Sequence, residues 1–347
     1  MDIIVLCGGL GTERDVSITS GTGVARALRK KGHRVILADL FTGIPGDIDP
    51  EALFASPQRD MEYRVSETVL DLSALYEKSG GVSIGPNILK LCKAADIVFL
   101  ALHGGDGENG HIQAVFDMFG VKYTGCSSLC SSLAMNKGLS KLLFNSAGVP
   151  TAESVTLSRG CDNAPPYLPC VVKPCSGGSS VGTSIAKTAE EYEAALKLAF
   201  KYEESVLVEK YIKCREFTVG VIDWQPLPII EIIPKTGFYD YKNKYQAGLT
   251  EEICPAPIPE SDAERLRDCA LKAGKALMLD SYYRADILMD EAGKLYCLEI
   301  NTLPGMTPTS LVPQMAQNIG VDFGGLCEKI IETSMRKYDE SSDHKRP

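Results

Sequence analysis

Short apolar runs recur along this chain, and most are followed by a stretch with helical spacing of its apolar positions. "DIIVLC" (2–7) ends in Gly8-Gly9 and gives way to the helical "SITSGTGVARALRKKG" (17–32). "RVILADL" (34–40) and "DIVFLAL" (96–102) are further strands, the second followed by the Gly-rich "HGGDGENG" (103–110) and a helix from His111. Buried strands alternating with helices predict a parallel sheet, whose ligands sit beyond the carboxyl ends of its strands. Both Gly-rich loops fall at such ends. This first unit is placed at residues 1–125.

The pattern then changes. Residues 126–209 hold the helix "NKGLSKLLFNSAG", the strands "ESVTL" and "PCVVKP", the loop "CSGGSSVG" (175–182), and a helix opened by a capping box at Thr188 and Glu191. The strand "SVLVEKY" (205–211) closes this central unit. A third unit, 210–335, starts with "EFTVGVI" and "LPIIEII" and crosses the polar stretch "KTGFYDYKNKYQAGLTEE" (235–252). It takes a second capped helix at "SDAE" (261–264), then the strands "YYRADILM" (282–289) and "KLYCLEI" (294–300), then two helical segments. The polar tail 336–347 is expected to be disordered. No internal repeat is visible.

Composition narrows the class. At 347 residues the chain exceeds one ordinary core, which agrees with several units. Its 44% hydrophobic and 23% charged residues are typical of soluble globular proteins. A net charge of −9 without a basic cluster speaks against a nucleic-acid binder. No apolar run reaches the ~20 residues that span a bilayer, and "MDIIVLCGG" lacks the features of a signal peptide. The 12 cysteines are scattered, with no C-x-x-C pair, so neither a zinc site nor a disulfide framework is expected. A cytoplasmic protein without membrane or nucleic-acid partners is the expectation.

Candidate chemistry gathers in two places. The strands flanking "DEAGK" (290–294) read as a hairpin. A two-residue turn at Ala292-Gly293 would put Asp286 opposite Glu299 and Arg284 opposite Asn301. Side chains two apart on a strand share a face, so all four would gather on one surface, with cross-strand neighbours ~5 Å apart. Hard oxygen donors so arranged suit magnesium, and Arg284 would remain free for an anion. The plain alternative is a polar strand end running into a turn. The second place is "VVKPCSGGSSVG" (171–182), a strand-end Lys173 before a loop rich in backbone N–H groups. Such loops can close over phosphates, although this one is neither a Walker A loop nor a G-x-G-x-x-G fingerprint, and a generic surface loop competes. Glu209 and Glu216 in "VLVEKYIKCREF" sit near apolar residues, where they suit an adenine amine and ribose hydroxyls.

These stretches together resemble the ATP-grasp enzymes, and within them the D-alanine–D-alanine ligases. The resemblance runs from Cys7 to about residue 335, through "GGLGTERDVS", "LHGGDGENG", "YTGCSSLCSSLAMNK", "VVKPCSGGSSVG", "EKYIKCREFTV", "GFYDYKNKY", "YRADI" and "EINTLPGMTPTSLVP". It implies a mixed α/β (α+β) chain in a three-domain ATP-grasp architecture behind an N-terminal parallel-sheet domain. It implies ATP-dependent joining of two D-alanines through an acyl phosphate, for peptidoglycan precursors, by a homodimer. It further implies two Mg2+ (or Mn2+) ions on Asp286, Glu299 and Asn301. Lys137, Lys173 and Lys244 would contact phosphates. Glu209, Tyr211 and Ile212 would hold adenine, and Glu216 the ribose. Glu13 would anchor the first ammonium and join Ser179 and Tyr245 in a set that ties two loops together. Arg284 and the Gly305 N–H would form an oxyanion hole, Ser310 and Leu311 would receive the second carboxylate, and His103 with Glu108 would flank the first substrate.

Two departures from the family pattern are visible. The loop before Ser179 is small and uncharged, and Asn109 stands where an aspartate is common. Lys244-Tyr245 looks like the dipeptide-making type, with D-alanine–D-serine ligation or another ATP-grasp amino-acid ligase as the alternative. A nucleotide sensor without chemistry would have no need of Arg284, Asp286, Glu299 and Asn301 together. Plain roles compete for single residues: Glu13 as a helix-start carboxylate, His103 as a helix cap.

Overall fold

The computed structural model describes residues 1–11, 13–56, 76–77, 79–160, 164–235 and 250–339. Lys244 and Tyr245 lie outside the described residues.

The first sheet is built from β1 (Asp2–Cys7), β2 (Arg34–Asp39) and β3 (Ile97–Leu100), all parallel, in the order β2-β1-β3. The interiors of its strands, 3–7, 35–38 and 97–100, are apolar and buried because α1 (Arg14–Lys30), α2 (Pro50–Ala55) and α3 (Ile88–Ala94) flank the sheet. Beyond β3 the chain turns through α4 (Gly105–Glu108) into α5 (His111–Phe119), at the strand ends where the Gly-rich loops were expected.

Next come α6 (Ser128–Met135) and α7 (Lys137–Ser146), and then a four-stranded antiparallel sheet. It consists of β4 (Ser154–Ser158), β5 (Cys170–Pro174), β6 (Ser184–Ala186) and β7 (Ser205–Lys210) in the order β4-β7-β5-β6, backed by α8 (Ala189–Ala199). Thr188 caps α8 by accepting from the Glu191 N–H at 3.3 Å, while the Glu191 carboxylate reaches back to the N–H of Lys187.

The largest sheet follows the order β11-β10-β8-β12-β13. Its strands are β8 (Cys214–Ile222), β10 (Ile230–Pro234), β11 (Thr250–Ile253), β12 (Tyr283–Asp290) and β13 (Leu295–Asn301), with β9 (Gln225–Pro226) paired on β8. Against it lie α9 (Glu260–Ala276), α10 (Leu311–Asn318) and α11 (Phe323–Asp339). Here two expectations are corrected. Helix α9 begins one residue before "SDAE" with Pro259 as its N-cap, and no side chain caps it, because proline carries no side-chain acceptor. The C-terminal helix runs to Asp339, so 336–339 are helical where a disordered tail was expected. Lys337 accounts for this, seated 4.0 Å from the Tyr123 ring centroid and donating to the Gly125 carbonyl at 2.6 Å.

The hydrophobic clusters cross the expected unit boundaries. Leu311, Val312, Leu326, Ile330 and Ile331, near the C-terminus, share one core with β1 and α1. Cys130, Ala134 and Phe144, placed in the central unit, pack with Phe217, Tyr283 and Ile300 of the large sheet. Among the described residues, the four-stranded sheet and α8 form a cluster of their own. A boundary drawn along the chain cannot show an amphipathic helix returning to an earlier core.

Candidate active site

The hairpin carries the acidic pair, but by a different route from the expected one. Asp286 pairs with Glu299 and Arg284 with Asn301. Nearer the tip, however, Ile287 pairs with Cys297 and Met289 with Leu295. The loop is therefore three residues, Glu291 to Gly293, with Gly293 at φ 76° and the Asp290 carboxylate accepting from the Ala292 and Lys294 N–H groups. A β-bulge at the unpaired Leu298 adds the missing residue and restores the register at the site. Below the bulge, Leu295 and Cys297 face the core; above it Ile300 does, and Leu298 and Glu299 both line a cavity. The bulge gives one strand both a buried face and a row of site oxygens.

On β12 the Arg284 guanidinium donates to both oxygens of Asp286, at 2.9 and 2.8 Å. Arg284 is thus not free as expected: i and i+2 share a face, and a guanidinium fork matches a carboxylate. Thr218, opposite Asp286 on β8, also donates to Asp286 at 2.6 Å. Glu299 lies 3.3 Å from the Lys137 ammonium, which itself donates to the Gly177 carbonyl at 2.5 Å. The Asn301 amide oxygen accepts from the Leu303 N–H at 3.0 Å. Among the described residues no group of three His, Cys, Asp or Glu side chains gathers around a metal position. The set here is two carboxylates and an amide oxygen, the hard donors magnesium takes. Asp286 has acceptor capacity beyond its three bonds, and Glu299 already faces a cation, so these residues fit a divalent ion.

Two cavities meet at this hairpin. The larger, about 510 Å³, lies between the four-stranded and large sheets, and is within the range of ligand pockets. Lys173, Glu209, Tyr211, Ile212, Glu216 and Asp286 line it, and Val171, Ile185 and Leu288 supply apolar walls. The smaller, about 140 Å³, is lined by Glu13, His103, Glu108, Arg284, Asn301, Gly305, Ser310 and Leu311. Lys137, Gly177, Gly178, Ser179 and Glu299 line both.

In the larger cavity the Glu209 side chain, expected at adenine, stands between two ammonium groups. Lys173 lies 2.7 Å from one of its oxygens and Lys141 2.6 Å from the other. Burial alone would raise the Glu209 pKa, but Lys173 and then Lys141 outweigh it and hold the carboxyl below its usual range. Lys141 is pulled down by burial against the pull of Glu209. Lys141 was missed in the sequence, although its spacing of four from Lys137 sets both lysines along one side of α7.

In the smaller cavity Ser179 donates to Glu13, which ties the "CSGGSS" loop to the start of α1. Ser179 and Ser180 hold φ of 48° and 57°, backbone strain that the Glu13 contact helps maintain. His103 lies 3.1 Å from the Ser20 hydroxyl, and burial pushes its pKa below the imidazole norm. Glu108 accepts from the Gly104 N–H at 2.6 Å. Burial first, and then the Glu13 charge, push its carboxyl up to about 8. The Gly305 backbone passes so close to Ser310 that a Cβ would stand 2.8 Å from its hydroxyl. Among the described residues the expected set is thus divided between two adjoining cavities. Thr218, Lys141, Ser20 and Glu252 join it without having been singled out.

The family model described as D-ala D-ala ligase N-terminus matches residues 2–126, and D-ala D-ala ligase C-terminus matches 143–332. A D-alanine–D-alanine ligase of Lacticaseibacillus casei is 42% identical over 97% of each chain. Among solved structures, the D-alanine–D-alanine ligase of Bacillus anthracis complexed with ATP aligns at a TM-score of 0.76, with 29% identity, over 98% of this chain and 99% of that one. The VanG D-Ala:D-Ser ligase of Enterococcus faecalis aligns at 0.74 with 27% identity, over 96% and 99%. Among the described residues no helix is long and apolar enough to cross a membrane. With both family models and a relative matched along nearly its whole length, the chain belongs to the D-alanine–D-alanine ligase family.

Proposed function

We propose that the two cavities divide the work of joining two D-alanines into D-alanyl-D-alanine at the expense of ATP. The carrying observation is their meeting at Lys137, residues 177–179 and Glu299. A nucleotide in the larger cavity then directs its γ-phosphate toward amino acids in the smaller one.

In this reading the base lies among Val171, Ile185, Leu288 and the main chain of Tyr211 and Ile212, and Glu216 takes the ribose. Lys173 and Lys141 around one Glu209 leave a net positive charge for the phosphates, joined by Lys137 and, outside the described residues, Lys244. Asp286, Glu299 and Asn301 would hold divalent ions, which neutralise phosphate charge when bound. Glu13 binds the first ammonium and orients that substrate's carboxylate toward the γ-phosphate. The second ammonium then gives up a proton, and the free amine attacks the acyl carbon of the acyl phosphate: the C–N bond forms, the C–O bond to phosphate breaks, phosphate leaves, and the nitrogen loses its remaining extra proton. Positioning and charge neutralisation do most of this work. Arg284 and the Gly305 N–H face the oxyanion, and Ser310 and Leu311, at the start of α10, take the second carboxylate. Ser179 with Glu13, joined by Tyr245, closes the site against water.

Phosphate release with ATP, magnesium and D-alanine alone tests this. Turnover is expected. Turnover only with added D-serine would select the alternative ligase, and ATP binding without turnover would leave a sensor.

We also infer that two copies pair through the N-terminal unit, where Met118 and Phe119 are exposed at the end of α5. Light scattering should give twice the chain mass. The described cysteines are free thiols, in keeping with the reducing cytoplasm.

A further inference from the structure

The smaller cavity holds a third carboxylate. Glu252, on β11, lines it together with Thr307, Thr309 and Ser310. The Gln314 amide donates to Glu252 at 2.5 Å and to the Thr309 carbonyl at 2.9 Å, so one side chain fixes Glu252 against the turn before α10. Gln314 lies one helical turn beyond Ser310, and its N–H donates to the Ser310 carbonyl at 3.2 Å. The carboxylate and the start of α10 therefore form one assembly. Its Ser310 hydroxyl accepts from the Thr307 N–H at 3.0 Å.

Charge matching suggests what this assembly receives. Two amino acids bring two ammonium groups, and Glu13 answers one of them. A zwitterion whose carboxylate meets Ser310 and the first N–H groups of α10 carries its ammonium within a few bonds of that carboxylate. Glu252 is the anion held on the same turn. We propose that Glu252 binds the ammonium of the second amino acid and so selects an amino acid over a hydroxy acid at that position. Gln314 is the positioning residue that aims it. A 2-hydroxy acid offers Glu252 a neutral hydroxyl donor in place of the cation, which forfeits the charge-assisted contact while its carboxylate remains a like charge. This inference rests on the two-amino-acid reading above.

The test is steady-state kinetics with the first and second D-alanine resolved, plus competition between D-alanine and D-lactate for the second position, with products read by mass spectrometry. For Glu252→Gln the expected result is a roughly tenfold rise in KM for the second D-alanine, the loss of one charge-assisted contact. KM for ATP and for the first D-alanine should hold, and the share of D-lactate product should rise. Gln314→Leu should move the same quantities in the same direction by a smaller factor, and serves if Glu252→Gln does not fold. An unchanged second KM with an unchanged product ratio overturns the proposal. So does an equal rise in all three KM values, which would mark general damage. If the unaltered chain makes no dipeptide, the broader reading fails first and takes this one with it; if it does make dipeptide, the variants judge Glu252 alone.

Discussion

The Lys141–Glu209–Lys173 cluster predicts an order of stability among its own variants. Opposite charges at 2.6 and 2.7 Å attract by about 6 kcal/mol each at an effective dielectric near 20. Set against this are several kcal/mol of desolvation per ion and ~2–3 kcal/mol of repulsion between the two lysines. The cluster is therefore close to balanced. Lys141→Met removes one attraction, but also the lysine repulsion and one desolvation cost, and it leaves Lys173 paired. A loss of about 1–2 kcal/mol is expected. Glu209→Gln removes both attractions and leaves two buried ammonium groups facing each other, for a loss of about 3–5 kcal/mol. Urea denaturation at pH 7 followed by circular dichroism measures both. If Lys141→Met proves as damaging as Glu209→Gln, the balance is wrong and Lys141 has some other role. The same pair separates in function. KM for ATP should rise in both variants, and more in Lys141→Met than its small stability loss would explain.

Three further outcomes are expected. Glu299→Ala should abolish phosphate release while the circular dichroism spectrum persists, and an active variant would remove the metal assignment. Glu108, with its carboxyl raised to about 8, is protonated in the folded chain where the unfolded chain is ionised. Its contribution is thus present below the ordinary carboxylate pKa and lost as pH rises toward 8, by up to ~1.4 kcal/mol per pH unit. Glu108→Gln should flatten the fall in melting temperature between pH 5.5 and 8 relative to the unaltered chain, and an identical slope in both would refute it. Gly305→Ala places a Cβ 2.8 Å from the Ser310 hydroxyl and displaces it from Thr307. Kinetics should show KM for the second D-alanine raised several-fold, with KM for ATP unchanged.

The sequence made the parallel sheet, the Gly-rich strand ends and the opposition of Asp286 to Glu299 legible, because each is written in local periodicity. What it hid depended on contacts between distant segments. Glu209 shows no sign of its two lysines until Lys141 arrives from α7, whereas the Arg284–Asp286 pair is local, two residues apart on one face, and is readable. The hairpin is the instructive case. The expected pairing at the site was correct although the expected turn was not, since a longer loop and a bulge cancel. The return of α11 to the first sheet, and of α6 and α7 to the large one, left no mark in composition.

That cancellation has a lasting effect on how the hairpin tolerates change. Leu298 switches the parity of β13 between its tip and its site, so the tip can gain or lose residues while Asp286 still faces Glu299. A single deletion at Leu298 would only remove the bulge: Glu299 would follow Cys297 in ordinary alternation, still opposite Asp286 and toward the site, with Ile300 still toward the core. A deletion at Ile300 has no such slack, because alternation would then turn either Glu299 or Asn301 toward the core.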